Sequence, residues 1–178
     1  MLGSSASMVR HGHLRLVSLA LLVCVVGAGC ASAGFDGRVY HNGELRFRVG
    51  QIPSAWRPID VDDALLAFRD DPANATVAIN GRCHVDGDDV PLGSLTQHLF
   101  LQFTDRDLGA QKPLSLDGRE ALRTEINAAL DGVKKHYVVY VLKKNGCVYD
   151  FMYIAAEGGA ASSVGTFDGF VQGFATLE

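Results

Sequence analysis

Nowhere in its 178 residues does this chain hold an apolar run long enough to cross a bilayer. A spanning helix needs roughly 20 apolar residues, and the longest run, Leu16 to Val26, falls well short of that. The spacings that carry common chemistry are missing too: there is no G-x-S-x-G, no H-E-x-x-H and no phosphate-cradling glycine loop. Beyond the first thirty residues the histidines, His41, His84, His98 and His136, stand far apart without a spaced carboxylate partner. No catalytic residue is therefore assigned, and no metal or cofactor is expected. Cationic charge is not in surplus, since 16 Lys and Arg face 20 Asp and Glu for a net −4. That balance argues against nucleic acid or anionic lipid as the main partner.

What is present begins with an address. Arg10 and Arg15 precede the apolar run, and Gly27, Ala28 and Gly29 lead into Cys30, the order of a bacterial secretory signal. Two processing readings compete. Gly27-Ala28-Gly29-Cys30 resembles a lipobox, although Gly27 stands where a larger aliphatic is usual, whereas Ala31-Ser32-Ala33 fits ordinary signal peptidase cleavage. The lipobox is preferred, giving a lipoprotein-type signal peptide over 1–29, a lipidated Cys30 with a short tether to residue 36, and one domain over 37–178. Acyl chains on Cys30, palmitate among them, would anchor the protein to a membrane essentially permanently. Ala31, rather than Asp, at the next position points to the outer membrane by the sorting rule of enteric lipoproteins.

Export gives the remaining cysteines a meaning. With Cys24 removed and Cys30 acylated, Cys83 and Cys147 are left in an oxidising compartment, where a disulfide between them is expected. The other reading is two small buried hydrophobes on separate strands. A metal site is disfavoured, because the adjacent Cys83 and His84 would point to opposite faces of a strand.

Along the mature chain, Leu45-Arg46-Phe47-Arg48-Val49 alternates apolar and basic after an Asn42-Gly43 turn and predicts a strand buried on one face. The Arg46 and Arg48 face reads as solvated rather than anion-binding. Ile52-Pro53-Ser54-Ala55-Trp56 is a corner whose tryptophan reads as a core plug, with ligand stacking the alternative. Residues 65–68 and 76–79 form a hairpin across Asp70-Asp71-Pro72. Asp88, Asp89 and Pro91 suit a helix start, and Leu92, Leu95, Leu99 and Phe103 make its apolar stripe, with His98 at the stripe's edge.

Residues 119–130 are ambiguous between helix and strand, and the Asp131-Gly132 turn before a strongly β-prone run decides for a strand. Asn145-Gly146 then makes a two-residue turn that sets Leu142 opposite Tyr149, Tyr140 opposite Phe151 and Val138 opposite Tyr153. The other face pairs Val141 with Asp150, Val139 with Met152 and Tyr137 with Ile154. Both faces are apolar and must be covered. Val164, Phe167, Phe170, Val171 and Phe174 supply a second helical stripe, with Ser162 or Ser163 able to cap it. Asp150 among apolar neighbours needs a partner, for which Arg119, Arg123 or Lys135 are candidates.

The predicted fold class is α+β, a three-layer α/β/α sandwich around an antiparallel sheet. In the order of these elements the chain resembles the PsbP/Mog1 superfamily, in the form of small bacterial envelope lipoproteins. The resemblance is carried by Phe47-Arg48-Val49, Ile52 to Trp56, the Asp117-Gly118-Arg119-Glu120-Ala121 turn, Tyr140-Val141-Leu142 and Phe167 to Phe174. It implies a role without catalysis, as binding or assembly module held at the membrane and facing the periplasm, with an envelope protein as partner. A carrier of a small apolar ligand is the alternative, and a hydrolase-type enzyme with an unrecognised site a remoter one. The two leading readings are separated by whether the structure holds a deep apolar pocket or a flat exposed apolar patch.

Overall fold

A computed structural model describes residues 33–84, 89–158 and 161–178. The signal, the lipobox and Cys30 lie outside the described residues. So does Asp88, one of the two acids expected to cap the first helix.

Strands dominate, and every strand pair is antiparallel. In chain order the strands are β1 (Gly34–Phe35), β2 (Val39–His41), β3 (Arg46–Arg48), β4 (Trp56–Pro58), β5 (Leu66–Asp70) and β6 (Ala75–Cys83). After helix α1 (Leu92–His98) come β7 (Thr104–Leu116), β8 (Arg119–Leu130), β9 (Val133–Lys144) and β10 (Cys147–Ala156). Helix α2 (Ala161–Gln172) and β11 (Ala175–Thr176) close the chain. They form a seven-stranded sheet in the order β4-β5-β6-β10-β9-β8-β7 and a four-stranded sheet in the order β1-β2-β3-β11.

The Asn145-Gly146 hairpin puts β10 at the centre of the large sheet with β9 beside it. Its turn demands left-handed backbone, and Asn145 and Gly146 supply it with φ of 54° and 73°. The register is the one the turn dictates: Leu142 pairs with Tyr149, Tyr140 with Phe151, Val138 with Tyr153, and Val141 with Asp150. One face, bearing Val138, Tyr140, Leu142, Tyr149, Phe151 and Tyr153, packs with Phe47, Trp56 and the α2 residues Phe167, Phe170 and Val171. The opposite face, bearing Tyr137, Val139, Val141 and Val148, packs with Leu95 and Phe100.

The expected sandwich, with one helix on each side of one sheet, is met only in part. On the α2 side Tyr40 and Phe47 of the small sheet, with Leu45 from the turn between β2 and β3, join the same core, so a second sheet shares the covering with the helix. Gly50 and Gly173 mark where the two pieces of chain cross. A Cβ on Gly50 would overlap the Phe170 carbonyl, and one on Gly173 would overlap Gly50. On the other side α1 is shorter than its stripe predicts. Bonds from Phe100 N to the Gln97 carbonyl and from Leu101 N to the His98 carbonyl tighten the chain into i→i−3 turns. Those turns set Phe100 and Phe103 against Tyr137, ring centroids 5.2 and 5.4 Å away.

Three local expectations are corrected. Gly34 and Phe35, assigned to the tether, pair with His41 and Tyr40 as part of the fold. The α1 N-cap is Pro91 with no side-chain cap bond. Helix α2 begins at Ala161, so Ser162 and Ser163 lie inside its first turn rather than at its cap.

Candidate functional site

The four histidines stay apart. His41 is on β2, His84 follows β6, exposed His98 ends α1, and His136 on β9 meets Asn127 Oδ1 at 2.9 Å through Nδ1. Among the described residues no three of His, Cys, Asp and Glu come together to hold a metal. Trp56 is buried against Phe170 and Phe68, at 5.2 and 6.2 Å between ring centroids, and is a plug of the core.

Cys83 ends β6 and Cys147 starts β10, directly opposite each other in the register, and their sulfurs are bonded. Their α-carbons are 4.0 Å apart, below the roughly 4.4 to 6.8 Å common for disulfides. The neighbouring backbone bond from His84 N to the Gly146 carbonyl makes this a non-hydrogen-bonded antiparallel pair, the position where opposed α-carbons approach most closely. Cys83 and Cys147 therefore strap the ends of two central strands.

Asp150 is buried on β10, and its partner is Arg82 of β6, with Nη1 donating to Oδ2 at 2.6 Å. Of the cations expected for it, Arg123 is engaged with Asp168 and Glu125. It belongs to a polar cluster that joins α2 to the sheet. Tyr140 Oη donates to Asp168 Oδ1 at 2.7 Å, Arg123 Nε donates to the same oxygen at 3.1 Å, and Arg123 Nη1 donates to Glu125 at 2.7 Å. Arg123 and Tyr140 are register partners on β8 and β9, and the guanidinium lies 5.8 Å from the centre of the tyrosine ring. Burial and the bond to Asp168 push the Tyr140 hydroxyl well above the ordinary tyrosine range. Burial works against the Arg123 charge, but Glu125 and Asp168 outweigh it and raise its pKa. A phenol kept protonated and a guanidinium kept charged cannot exchange protons near neutral pH. The cluster is a clamp. Sequence reasoning missed it because its members lie on three separate elements.

A second clamp sits at the β7–β8 turn. Asp117 Oδ2 accepts from Lys144 Nζ at 2.7 Å, Thr176 N at 2.8 Å and Thr176 Oγ1 at 2.9 Å. Burial opposes ionisation of Asp117, yet these donors together hold its carboxyl below the usual range. They also tie β11 of the small sheet to the large one.

Two surface cavities among the described residues have arginines in their walls. One of about 280 Å³ is walled by Arg82, Arg119, Lys143 and Lys144 beside the Asn145-Gly146 turn. Another of about 500 Å³ has Arg38 and Arg48 among its walls, together with Gly37, Gly50 and Gly173. Neither is the deep apolar pocket that a carrier of small apolar ligands needs. Apart from Val61, between β4 and β5, the exposed large apolar side chains among the described residues instead gather on β7–β8–β9 and the turns before them. Leu101 is 62% exposed, Val133 55% and Leu130 41%. Leu130 pairs with Val133, and Ala129 with Thr104, three residues after Leu101.

This two-sheet arrangement, with its central long hairpin and C-terminal helix, is a PsbP/Mog1-like fold, as solved structures show. The solution structure of cyanobacterial PsbP (CyanoP) from Synechocystis sp. PCC 6803 matches 85% of this chain and 96% of its own, with a TM-score of 0.53 and 16% identity. LpqN of Mycobacterium tuberculosis, described as involved in cell envelope biogenesis, matches over 78% and 88% of the two chains, with a TM-score of 0.53 and 11% identity. PA94 of Pseudomonas aeruginosa, a putative regulator by its description, matches over 75% and 92%, with a TM-score of 0.51 and 14% identity. No family model matches the sequence, and no curated protein sequence does. Among the described residues no helix is long and apolar enough to cross a membrane.

Proposed function

We propose that the protein is a bacterial envelope lipoprotein, anchored through Cys30 and facing the periplasm, that acts without catalysis as a binding or assembly module for another envelope protein. The observation carrying this reading is the contrast between interior and surface. Aromatic side chains fill both faces of the large sheet, the polar clusters are internally paired, and apolar surface collects at one end around Leu101, Leu130 and Val133. A domain built this way has little to offer a substrate and an apolar end to offer a partner. The relation to LpqN fits an envelope setting. The outer membrane is the expected host, from Ala31 after the anchor.

Two measurements test the reading. Cys30→Ser should abolish incorporation of labelled fatty acid and release the protein from membranes; a wild-type protein already soluble with Gly34 at its N-terminus would show that the other cleavage site is used. Crosslinking of the tagged protein in native membranes should capture a discrete partner, and Leu101→Asp with Val133→Asp should remove that crosslink while leaving the urea midpoint nearly unchanged. Capture unaffected by the double variant would count against a protein docked at this end.

A further inference from the structure

The outer face of the four-stranded sheet is rich in arginine. On β3, Arg46 and Arg48 flank the fully buried Phe47, so both point outward. Their register partners on β2 are His41 and Val39, and Arg38, just before that strand, is exposed as well. Arg46 Nη1 donates to the main-chain oxygen of Glu178 at 2.9 Å, whereas Arg38 and Arg48 line the glycine-walled cavity of about 500 Å³. The nearby Asp36 carboxylate is committed to the backbone, accepting from Arg38 N at 2.8 Å and Val39 N at 2.6 Å. Glu44, in the turn between β2 and β3, Glu178, and Asp117, which accepts from Thr176 of β11, also adjoin this sheet. Residues 1–33 contain no Asp or Glu.

We propose that this face lies on the anionic phospholipid headgroups of the membrane that holds the chain, with Arg38 and Arg48 contacting lipid phosphates. The proposal rests on the Cys30 anchor of the preceding subsection and adds an orientation to it. Chain length supplies the first argument. Only Ala31, Ser32 and Ala33 lie between Cys30 and Gly34, the first residue of β1, and that stretch reaches only about 14 Å even when fully extended. An acylated Cys30 therefore keeps the edge of the small sheet within that distance of the headgroups.

Charge supplies the second. Without Arg10 and Arg15 of the signal, 14 Lys and Arg face 20 Asp and Glu for a net −6, which argues against anionic lipid for a freely diffusing protein, but exposed charges more than about 10 Å away are largely screened at physiological salt. What the leaflet senses is the near face, and at one end of it Arg38 and Arg48 line a cavity whose walls hold no carboxylate, with the Asp36 carboxylate turned to the backbone beside them. Each basic residue near an anionic leaflet favours the bound state about fivefold, so Arg38 and Arg48 together give on the order of thirtyfold. That is weak for a free domain. For a tethered one, whose effective concentration at the surface is already about millimolar, it is enough to choose which face turns down.

The test uses the full-length lipoprotein purified from membranes and reconstituted into vesicles of phosphatidylcholine alone or of phosphatidylcholine with phosphatidylglycerol. Phenylglyoxal modification, read by peptide mass spectrometry, reports the accessibility of each arginine. Arg38 and Arg48 should react about fivefold more slowly on the phosphatidylglycerol vesicles, while Arg106, exposed on β7 at the far edge of the large sheet, reacts equally on both. Arg48→Glu should remove the protection of Arg38, with an unchanged urea midpoint showing that the fold is intact. Arg38 and Arg48 protected no more than Arg106, in a protein whose intact mass shows acyl chains, overturns the docking alone. An intact mass without acyl chains overturns the anchor, and with it this orientation.

Discussion

Tyr140 shows how one side chain can be both core and clamp. Its ring is buried against Phe167 at 5.8 Å between centroids, and its hydroxyl reaches the partly exposed Asp168 on α2. Tyr140→Phe keeps the ring and deletes the bond, leaving Asp168 with Arg123 still beside it. The expected cost is about 1 to 2 kcal/mol, read from the urea midpoint. Tyr140→Asp removes the ring and buries a second carboxylate next to Asp168, and the cost should rise to several kcal/mol. Arg48→Asp, on an exposed position of β3, should cost less than about 0.5 kcal/mol. Equal midpoints for Tyr140→Asp and Arg48→Asp would contradict the packing described here. At this scale the sequence exposed Asp150's need for a partner but not the partner itself. Arg82 lies 68 residues away along the chain, and only the pairing of β6 with β10 brings the two together.

Elements were legible where local chemistry dictates them. Asn145-Gly146 fixes a register over ten residue pairs, because a two-residue turn leaves one alignment and a slip would invert every side chain. Strand β7 was missed for the opposite reason. Its residues include Asp105, Arg106, Asp107, Gly109 and Pro113 and show no alternation before Leu114 and Leu116, since over 104–113 it is an exposed edge strand with two register shifts against β8 and no buried face to pattern its sequence. The same bulges, charges and proline protect that edge from pairing with another chain. The one available hint was Asp117-Gly118, a hairpin turn that requires a strand before it. Strand β11 was invisible as well, for two residues carry no period; it pairs with β3 and is held from the other side by Asp117 through Thr176. That attachment has a pH dependence of definite sign. The carboxyl of Asp117 is lowered in the folded protein, so its contribution is complete above the unfolded value of about 3.9 and is lost as pH falls through the folded value. Amide exchange at Thr176, corrected for the intrinsic pH effect, should therefore be protected at pH 6 and lose protection below about pH 4. In Asp117→Asn the protection should be weaker at pH 6 and nearly flat with pH. Protection in the wild type that does not change between pH 6 and pH 3 would remove Asp117 as the clasp.

For the whole molecule, the disulfide divides the chain more deeply than any loop does. Cys83 and Cys147 are separated by 64 residues, and that closed loop contains α1, β7, β8 and β9, one half of the large sheet and the covering of one of its faces. In the folded state the bond adds little, because β6 and β10 are already paired up to the cysteines. Its effect falls on the unfolded chain, which loses the freedom to separate the two halves, and for a loop of this length the stabilisation is about 4 kcal/mol. Domains of this size are stable by roughly 5 to 15 kcal/mol in total, so the reduced protein should be left near the margin. Reduction, or the Cys83→Ser/Cys147→Ser pair, should lower the urea midpoint strongly, with far-ultraviolet dichroism in water nearly unchanged because no strand depends on the bond for its hydrogen bonds. The denaturant slope should not fall, since an uncrosslinked chain exposes at least as much surface on unfolding. Midpoints within experimental error for the oxidised and serine forms would mean that the unfolded chain stays compact without the bond. In that case the stability comes from the aromatic core on the two faces of β9 and β10 alone, and an oxidising compartment is not a condition of this fold.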